Sequence, residues 1–228
     1  VQTCALPILR PDDVAAAVKP DDAHCAISRL LCLENTVAGR VQSVETIDEM
    51  AAVGRTHGLA VHLDGARLMN AVVKLGIPAA ELVDAVDTVS LCLSKGLGTP
   101  AGSVLVGPAD FIRRAHRIRK LVGGGMRQIG VVAAAGIYAL DHHIDRLAHD
   151  HANALHLAER LTQVNAIHVD PNLVETNMVF IKLPDGTADG LRAHLADRGI
   201  LLGGGAKQIR LVTHLDITRD DIDLLSEE

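Results

Sequence analysis

Two short apolar runs separated by a helix-length segment constrain this chain more than any other feature. Gly58-Leu59-Ala60-Val61 leads into His62-Leu63-Asp64-Gly65-Ala66-Arg67, and Thr88-Val89-Ser90-Leu91-Cys92 leads into Leu93-Ser94-Lys95-Gly96-Leu97-Gly98-Thr99-Pro100. Such runs, aliphatic, β-branched and closed by small residues, read as buried strands. A helical crossover between them makes the two strands parallel neighbours in one sheet. Their C-terminal ends then share an edge, and open α/β sheets hold ligands at that edge. One aspartate, Asp64, and one lysine, Lys95, are thereby brought to a single ligand-binding edge.

The rest of the chain repeats the alternation. Arg10-Pro11-Asp12-Asp13 opens a short helix, with proline and acids where the first-turn amides are unpaired. Residues 29–33 read as a strand ending in Glu34-Asn35-Thr36. Ser43 is the expected cap of a helix to about His57, closed by Gly58, with Val44, Ile47, Met50 and Ala51 at helical spacing. Helices are expected over 66–74 and 78–86, and a further strand over 102–106. Strands alternating with helices argue for a mostly parallel α/β sheet. Beyond Pro108 the pattern turns helical over 109–121, 128–141 and 144–161. Strands at 167–169, 177–183, 200–202 and 208–213 around a helix at 187–198 make a small α+β unit. The expected division is residues 9–150 for the C-terminal part of a large domain and 151–228 for a small domain. Thr218-Arg219-Asp220-Asp221 resembles a capping box whose helix the chain leaves unfinished.

Residues 1–8, VQTCALPI, fit neither unit. They are expected to be a translated sequencing adapter joined to an incomplete reading frame, which would leave Cys4 without a role. No secretory leader is expected ahead of the domain.

Composition closes off other classes. A net charge of −6 supplies no basic footprint for nucleic acid. No apolar run is long and unbroken enough to span a membrane. Cys4, Cys25, Cys32 and Cys92 show no CxxC pair and no zinc spacing, which fits buried thiols in a reducing cytoplasm. Phe111, Phe180 and Tyr138 are the whole aromatic complement, so the core is built from Ala, Val, Leu and Ile.

An aspartate and a lysine on one sheet edge are what pyridoxal 5′-phosphate (PLP) chemistry needs. The lysine bonds the cofactor, and the carboxylate keeps the pyridine nitrogen protonated so that the ring accepts electrons. Taken singly the residues stay ambiguous. Ser94-Lys95-Gly96 is compatible with a solvated loop, and Asp64-Gly65 with a plain turn. Gly123-Gly124-Gly125 and Gly96-Leu97-Gly98 match neither the P-loop nor the dinucleotide fingerprint. Gly203-Gly204-Gly205 reads as a flexible loop. His142, His149 and His156 recur every seven residues without a metal-site partner, and read as a solvated or partner-facing helix stripe.

HLDGAR, LSKGLGTPAGSVLVG, RIRKLVGGGMRQIG and IRLVTHLDI, with LLCLENT upstream, closely resemble the low-specificity L-threonine aldolases. The likeness runs from Leu9 to the end. It implies the aspartate-aminotransferase fold (fold type I): a PLP-binding large domain with a mixed, mostly parallel sheet, and a small C-terminal α+β domain. It also implies a missing N-terminal segment of about a hundred residues, on the usual size of such domains. That segment would carry a phosphate-cradling loop and a histidine stacked on the ring.

By resemblance, Lys95 matches the Schiff-base lysine, Asp64 the carboxylate on the pyridine nitrogen, and Arg67 the arginine near the phenolic oxygen. Arg210 matches the arginine that binds the substrate α-carboxylate, as a guanidinium fork suits. His24 matches a histidine near the substrate hydroxyl, a candidate base. Cys25 stands beside it where the family commonly has a larger residue. Lys120 and Arg127 match a segment that reaches the cofactor phosphate of a neighbouring subunit. A homodimer-based homotetramer with shared sites is therefore implied, as is retro-aldol cleavage of L-threonine or L-allo-threonine to glycine and acetaldehyde. Serine hydroxymethyltransferase, β-lyase or aminotransferase activity is the alternative within the cofactor class. A non-catalytic fragment is the alternative outside it.

Overall fold

The computed structural model describes residues 9–227; VQTCALPI and Cys4 lie outside the described residues. The chain divides into two compact units, one of residues up to Val37 with Val41–Ile144, the other of Ala38–Arg40 with the residues from Asp145 onward.

The first unit is built on a four-stranded sheet in the order β1 (Leu30–Glu34), β2 (Ala60–Gly65), β3 (Thr88–Cys92), β4 (Ser103–Val106). The first three strands are parallel and β4 runs antiparallel to β3, so the sheet is mixed and mostly parallel. Register aligns Leu31 with Val61 and Leu33 with Leu63, then Leu63 with Val89 and Gly65 with Leu91. All of these side chains and Gly65 are buried on one face. The other face carries Leu30, Cys32, His62, Asp64 and Ser90, which are exposed or half-buried. Helix α1 (Pro11–Ala17) precedes the sheet and packs on α2 (Val44–Thr56), the crossover from β1 to β2. Ser43 caps α2 as its sequence predicts, its Oγ accepting from the Thr46 N–H at 3.3 Å. Ile47, Met50 and Ala51 of α2 are fully buried. Ile47 and Met50 each contribute about 1.5–3 kcal/mol of transfer free energy.

The crossover from β2 to β3 is α3 (Leu68–Leu75) followed by α4 (Ala79–Leu82). The sequence predicts a longer second helix. It stops after one turn, and its continuation makes a Val86 N–H to Val83 O turn while Arg55 Nη2 donates to the Ala85 carbonyl at 2.5 Å. Beyond β4, α5 (Ala109–Leu121) and α6 (Gly130–His142) complete the unit. No residue of α5 is buried. Ile118, Leu121, Val122, Met126, Ile129, Val131, Ile137 and Tyr138 leave an apolar surface on these two helices and their connection.

The second unit packs α7 (Leu147–Leu161) and α9 (Arg219–Glu227) with the antiparallel pair β5 (Met178–Lys182) and β6 (Gln208–Val212); α8 (Ala188–Ala196) lies between the two strands in sequence. Ala154, Leu157, Ala158, Leu161, Val179, Ile181, Ile209 and Ile222 form its core. The expected capping box at Thr218 is present: its N–H donates to Asp221 Oδ2 at 2.8 Å and its Oγ1 accepts from the Asp221 N–H at 3.2 Å.

Further expectations are corrected. Residues 167–169 form no strand: only His168 bridges Lys182, and Pro171, which has no N–H, opens a 3₁₀ turn shortly after. Residues 200–202 form no strand because the backbone is spent closing α8. The Ile200 N–H donates to Leu195 O, with Gly199 in the left-handed region at φ +77°. The glycine loop at 203–205 is pinned, since Arg192 Nη2 donates to the carbonyls of Gly204 and Gly205, each at 2.7 Å. The histidines at seven-residue spacing are no continuous stripe, because α6 ends at His142 and α7 begins at Leu147. His142 packs on Tyr138 with the ring planes tilted by 47°, and His156 bonds Asp223 at 2.7 Å and Arg219 Nη2 at 3.1 Å. Among the described residues no His/Cys/Asp/Glu group could hold a metal ion, and no helix is long and apolar enough to cross a membrane.

Candidate active site

Parallel register sets the site edge. Asp64, next to last in β2, has Glu34 as its partner on β1 and Ser90 on β3. Strand alternation puts all three on the open face of the sheet. Asp64 is exposed, and its Oδ1 accepts from the Ala66 N–H at 2.9 Å, an Asx turn that turns the chain toward α3. Glu34 and Asp64 put two carboxylates side by side on neighbouring strands. An edge of that kind favours a protonated nitrogen placed against it.

Gly65 is what lets β2 and β3 close this far. A Cβ there would stand 2.8 Å from the Ser90 carbonyl oxygen and 3.1 Å from Leu68 Cβ. Arg67 follows as the N-cap residue of α3, half-buried. It lines a small cavity together with Leu91, Cys92, Gly96 and Leu97, so the arginine and the lysine loop are neighbours.

Lys95 lies three residues beyond the last residue of β3, on the connection to β4. Backbone bonds tie this connection at both ends: Leu93 N–H to Gly102 O at 3.0 Å, Thr99 N–H to Leu93 O at 3.2 Å, and Gly98 N–H to Lys95 O at 2.9 Å. Gly96 and Leu97 are buried, whereas Lys95 is exposed and its Nζ has no hydrogen bond or ion pair among the described residues. Asp64, Arg67 and the Lys95 loop are therefore brought together, as the strand ends predict.

The end of β1 is held by a pairing that sequence reasoning missed. Asn35 is fully buried; its Nδ2 donates to the Gln42 carbonyl at 3.0 Å and its Oδ1 accepts from the Gln42 N–H at 3.2 Å. Gln42 Nε2 returns a bond to Glu34 O, and the Asn35 N–H donates to Asp64 O at 3.0 Å. The loop from Asn35 to Gln42 is thus clamped onto the edge that carries Asp64. No spacing rule announces an Asn–Gln pair of this sort.

The other expected residues lie on other elements. His24 is exposed on a turn six residues before the start of β1. Its backbone N–H donates to Asp22 Oδ1 at 2.7 Å, and no hydrogen bond or ion pair joins it to Asp64 or Lys95 among the described residues. Lys120 is exposed in the last turn of α5, and Arg127 is exposed on the connection between α5 and α6. The Lys120 stem lies over Gly125, where a Cβ would overlap its Cδ. In the second unit Arg210 is exposed on β6 opposite Phe180, while its neighbour Ile209 enters the core.

Comparison with known proteins gives the family. The family model described as beta-eliminating lyase matches residues 7–184. Low-specificity L-threonine aldolase 1 of Arabidopsis thaliana is 49% identical over 202 residues, covering 86% of this chain and 56% of that protein. The low specificity L-threonine aldolase of Escherichia coli K12 is 46% identical over 211 residues, covering 92% of this chain and 62% of that protein. The chain thus spans 56% and 62% of the length of these two relatives. In structure, the threonine aldolase of Leishmania major superposes with a TM-score of 0.79 at 21% identity, over 96% of this chain and 66% of that one, which shows the fold. With a sheet edge built from HLDGAR and LSKGLG and relatives this similar along most of its length, the chain belongs to the low-specificity L-threonine aldolase family.

Proposed function

We propose that this chain is the C-terminal part of a PLP-dependent carbon–carbon lyase that cleaves L-threonine and L-allo-threonine to glycine and acetaldehyde. In this reading residues 9–150 belong to the PLP-binding large domain and 151–228 to the small domain. One observation carries the proposal: Asp64, Arg67 and the Lys95 loop share one sheet edge, and the lysine amine there is exposed and unpaired among the described residues.

The edge fits PLP by its donor set. Lys95 supplies an amine for covalent attachment. Asp64, beside Glu34, supplies a carboxylate to hold a proton at the pyridine nitrogen. Arg67 supplies a cation for the phenolic oxygen. When bound, the cofactor supplies an electron sink for the pair released as the substrate Cα–Cβ bond breaks. Arg210 would grip the substrate α-carboxylate through its guanidinium fork, which fixes the bond to be broken. His24 would take the β-hydroxyl proton, leaving the aldehyde carbonyl, and a proton returned to Cα completes glycine. The position of His24 ahead of β1 requires the segment before the strand to deliver it to the reacting hydroxyl. Lys120 and Arg127 would hold the cofactor phosphate of a neighbouring copy within a homodimer-based homotetramer. The apolar surface from Ile118 to Tyr138 supports an assembly through the same helices. No nucleic acid or membrane partner belongs to this reading, and the compartment it implies is the cytoplasm.

A second reading, a non-catalytic fragment, is favoured by the same apolar surface and by the open sheet face. Peptide mapping after addition of PLP and borohydride reduction separates the two. A pyridoxyl adduct confined to Lys95, with acetaldehyde released from L-threonine without folate or an oxo acid, supports the lyase. Scattered surface labelling or none refutes it for this chain.

A further inference from the structure

The loop that carries Lys95 is held from one side by α6. Leu93 meets this helix so closely that a Cβ at Gly136 would stand 2.9 Å from Leu93 Cδ1. At the helix end, half-buried His143 places Nδ1 2.7 Å from the carbonyl oxygen of Leu97. A carbonyl oxygen only accepts, so Nδ1 carries the proton. The imidazole is itself held in place. Its backbone N–H donates to Ala139 O at 2.8 Å, and the Tyr138 ring meets it edge-on, with centroids 5.5 Å apart and planes at 87°.

The bond falls where the loop lacks another tie. The N–H groups of Gly98 and Thr99 are bonded within the loop, to Lys95 O and Leu93 O. Among the described residues no backbone N–H donates to Leu97 O; His143 does. Leu97 is buried and stands two residues beyond exposed Lys95. Resting on the reading of Lys95 as the cofactor-holding lysine, we propose that His143 is a positioning residue, whose Nδ1–H anchors Leu97 O and fixes the Lys95 turn against α6. The role needs a donor at the Nδ1 position and no charge. It is therefore indifferent to protonation at Nε2, and asparagine, whose Nδ2 occupies nearly the same place, should replace it.

The test compares wild type, His143→Asn and His143→Leu in the full chain, first without cofactor. Amide hydrogen exchange of Gly98 and Thr99 is followed across neutral pH, with the β2 amides as the internal standard. His143→Leu is expected to raise exchange at those two amides about tenfold, the loss of one net hydrogen bond, with β2 protection kept. His143→Asn is expected to match wild type, and neither comparison should change with pH beyond intrinsic exchange. Unchanged exchange in His143→Leu, or failure of His143→Asn to restore protection, overturns the proposal. Should His143→Leu not fold, His143→Gln keeps the polarity and displaces the donor; it should show the same selective rise, and wild-type exchange there overturns the proposal equally. Borohydride labelling with PLP is the separate second arm. Wild type without an adduct at Lys95 refutes the reading of Lys95 and leaves the exchange result to decide on His143. With that adduct present, His143→Leu should be labelled several-fold less at equal PLP and His143→Asn equally to wild type; equal labelling of all three overturns the proposal.

Discussion

Gly65→Ala puts a methyl group into the contact that closes the site edge. The new Cβ would stand 2.8 Å from the Ser90 carbonyl oxygen, 3.1 Å from Leu68 Cβ and 3.3 Å from Val89 Cγ1. The nearest of these is backbone on β3 and cannot rotate away. Ordinary van der Waals contact begins at 3.4 Å, so the two strands must part by about 0.6 Å or β2 must bend at its end. Overpacking of this kind costs roughly 1–3 kcal/mol. For a chain of this size that lowers the thermal midpoint by roughly 2–4 °C per kcal/mol. Asp64 precedes the methyl and Arg67 follows it, so the same displacement spreads the edge that faces Lys95. The assay is a urea titration with a thermal scan, run beside Gly190→Ala. Gly190 lies in α8 with no atom within 4 Å of its Cβ position. Alanine there should stabilise by up to about 1 kcal/mol through helix propensity. Gly65→Ala is expected to lower the urea midpoint at unchanged slope and to lower borohydride labelling of Lys95. A midpoint equal to wild type, or raised as in Gly190→Ala, would refute the tight closure of β2 on β3.

Asn35→Ala leaves the Gln42 carbonyl and N–H buried without their partners, and should cost roughly 2–4 kcal/mol; a change below about 0.5 kcal/mol in urea would contradict the clamp. Arg210→Lys keeps the charge and loses the fork. It should raise KM for threonine about tenfold while leaving stability within about 0.5 kcal/mol, since Arg210 is exposed; an unchanged KM removes Arg210 from substrate binding. Acid should release α9. The Thr218 hydroxyl and N–H hold Asp221, and the His156 hydrogen bond holds Asp223, below the usual aspartate range. Folded values that are depressed give stability that is full above the ordinary aspartate value and is lost as pH falls through the depressed ones. Proteolysis within α9 should therefore set in on the acid side of that range, and Asp221→Asn with Asp223→Asn should remove the acid step; a step that survives both substitutions contradicts this assignment.

The strands of the sheet were legible because each carries its own signature. β2 and β3 are short aliphatic runs that end in small or polar residues, and the parallel crossover rule alone takes Asp64 and Lys95 to one edge. Ser43 and Gly58 bracket α2 by local chemistry that does not depend on the rest of the fold. The failures share a cause, since their outcome is decided by particular hydrogen-bond partners that no periodicity or motif announces. Residues 200–202 have strand composition, but Leu195 claims the Ile200 N–H. The triple glycine at 203 looks free until Arg192 is placed beside it. Asn35 and His143 hold the site edge through side-chain bonds to Gln42 and Leu97, and neither pair has a periodicity or motif to reveal it. For His24 only resemblance suggests a role, because a lone histidine six residues ahead of a strand carries no signature of its own.

The reversal of β4 bears on how the lysine segment can be exchanged. Cys92 and Ser103 face each other across β3 and β4, so 93–102 is a hairpin whose two stems lie in the same sheet. A crossover loop would have to be transplanted with its helix. This one can be lifted out as a single contiguous peptide and grafted between homologues as a cassette. Its register is kept by the stems, and its outer contacts include Gly136 against Leu93, Val132 beside Gly102, His143 on Leu97 and the α3 start across the small cavity.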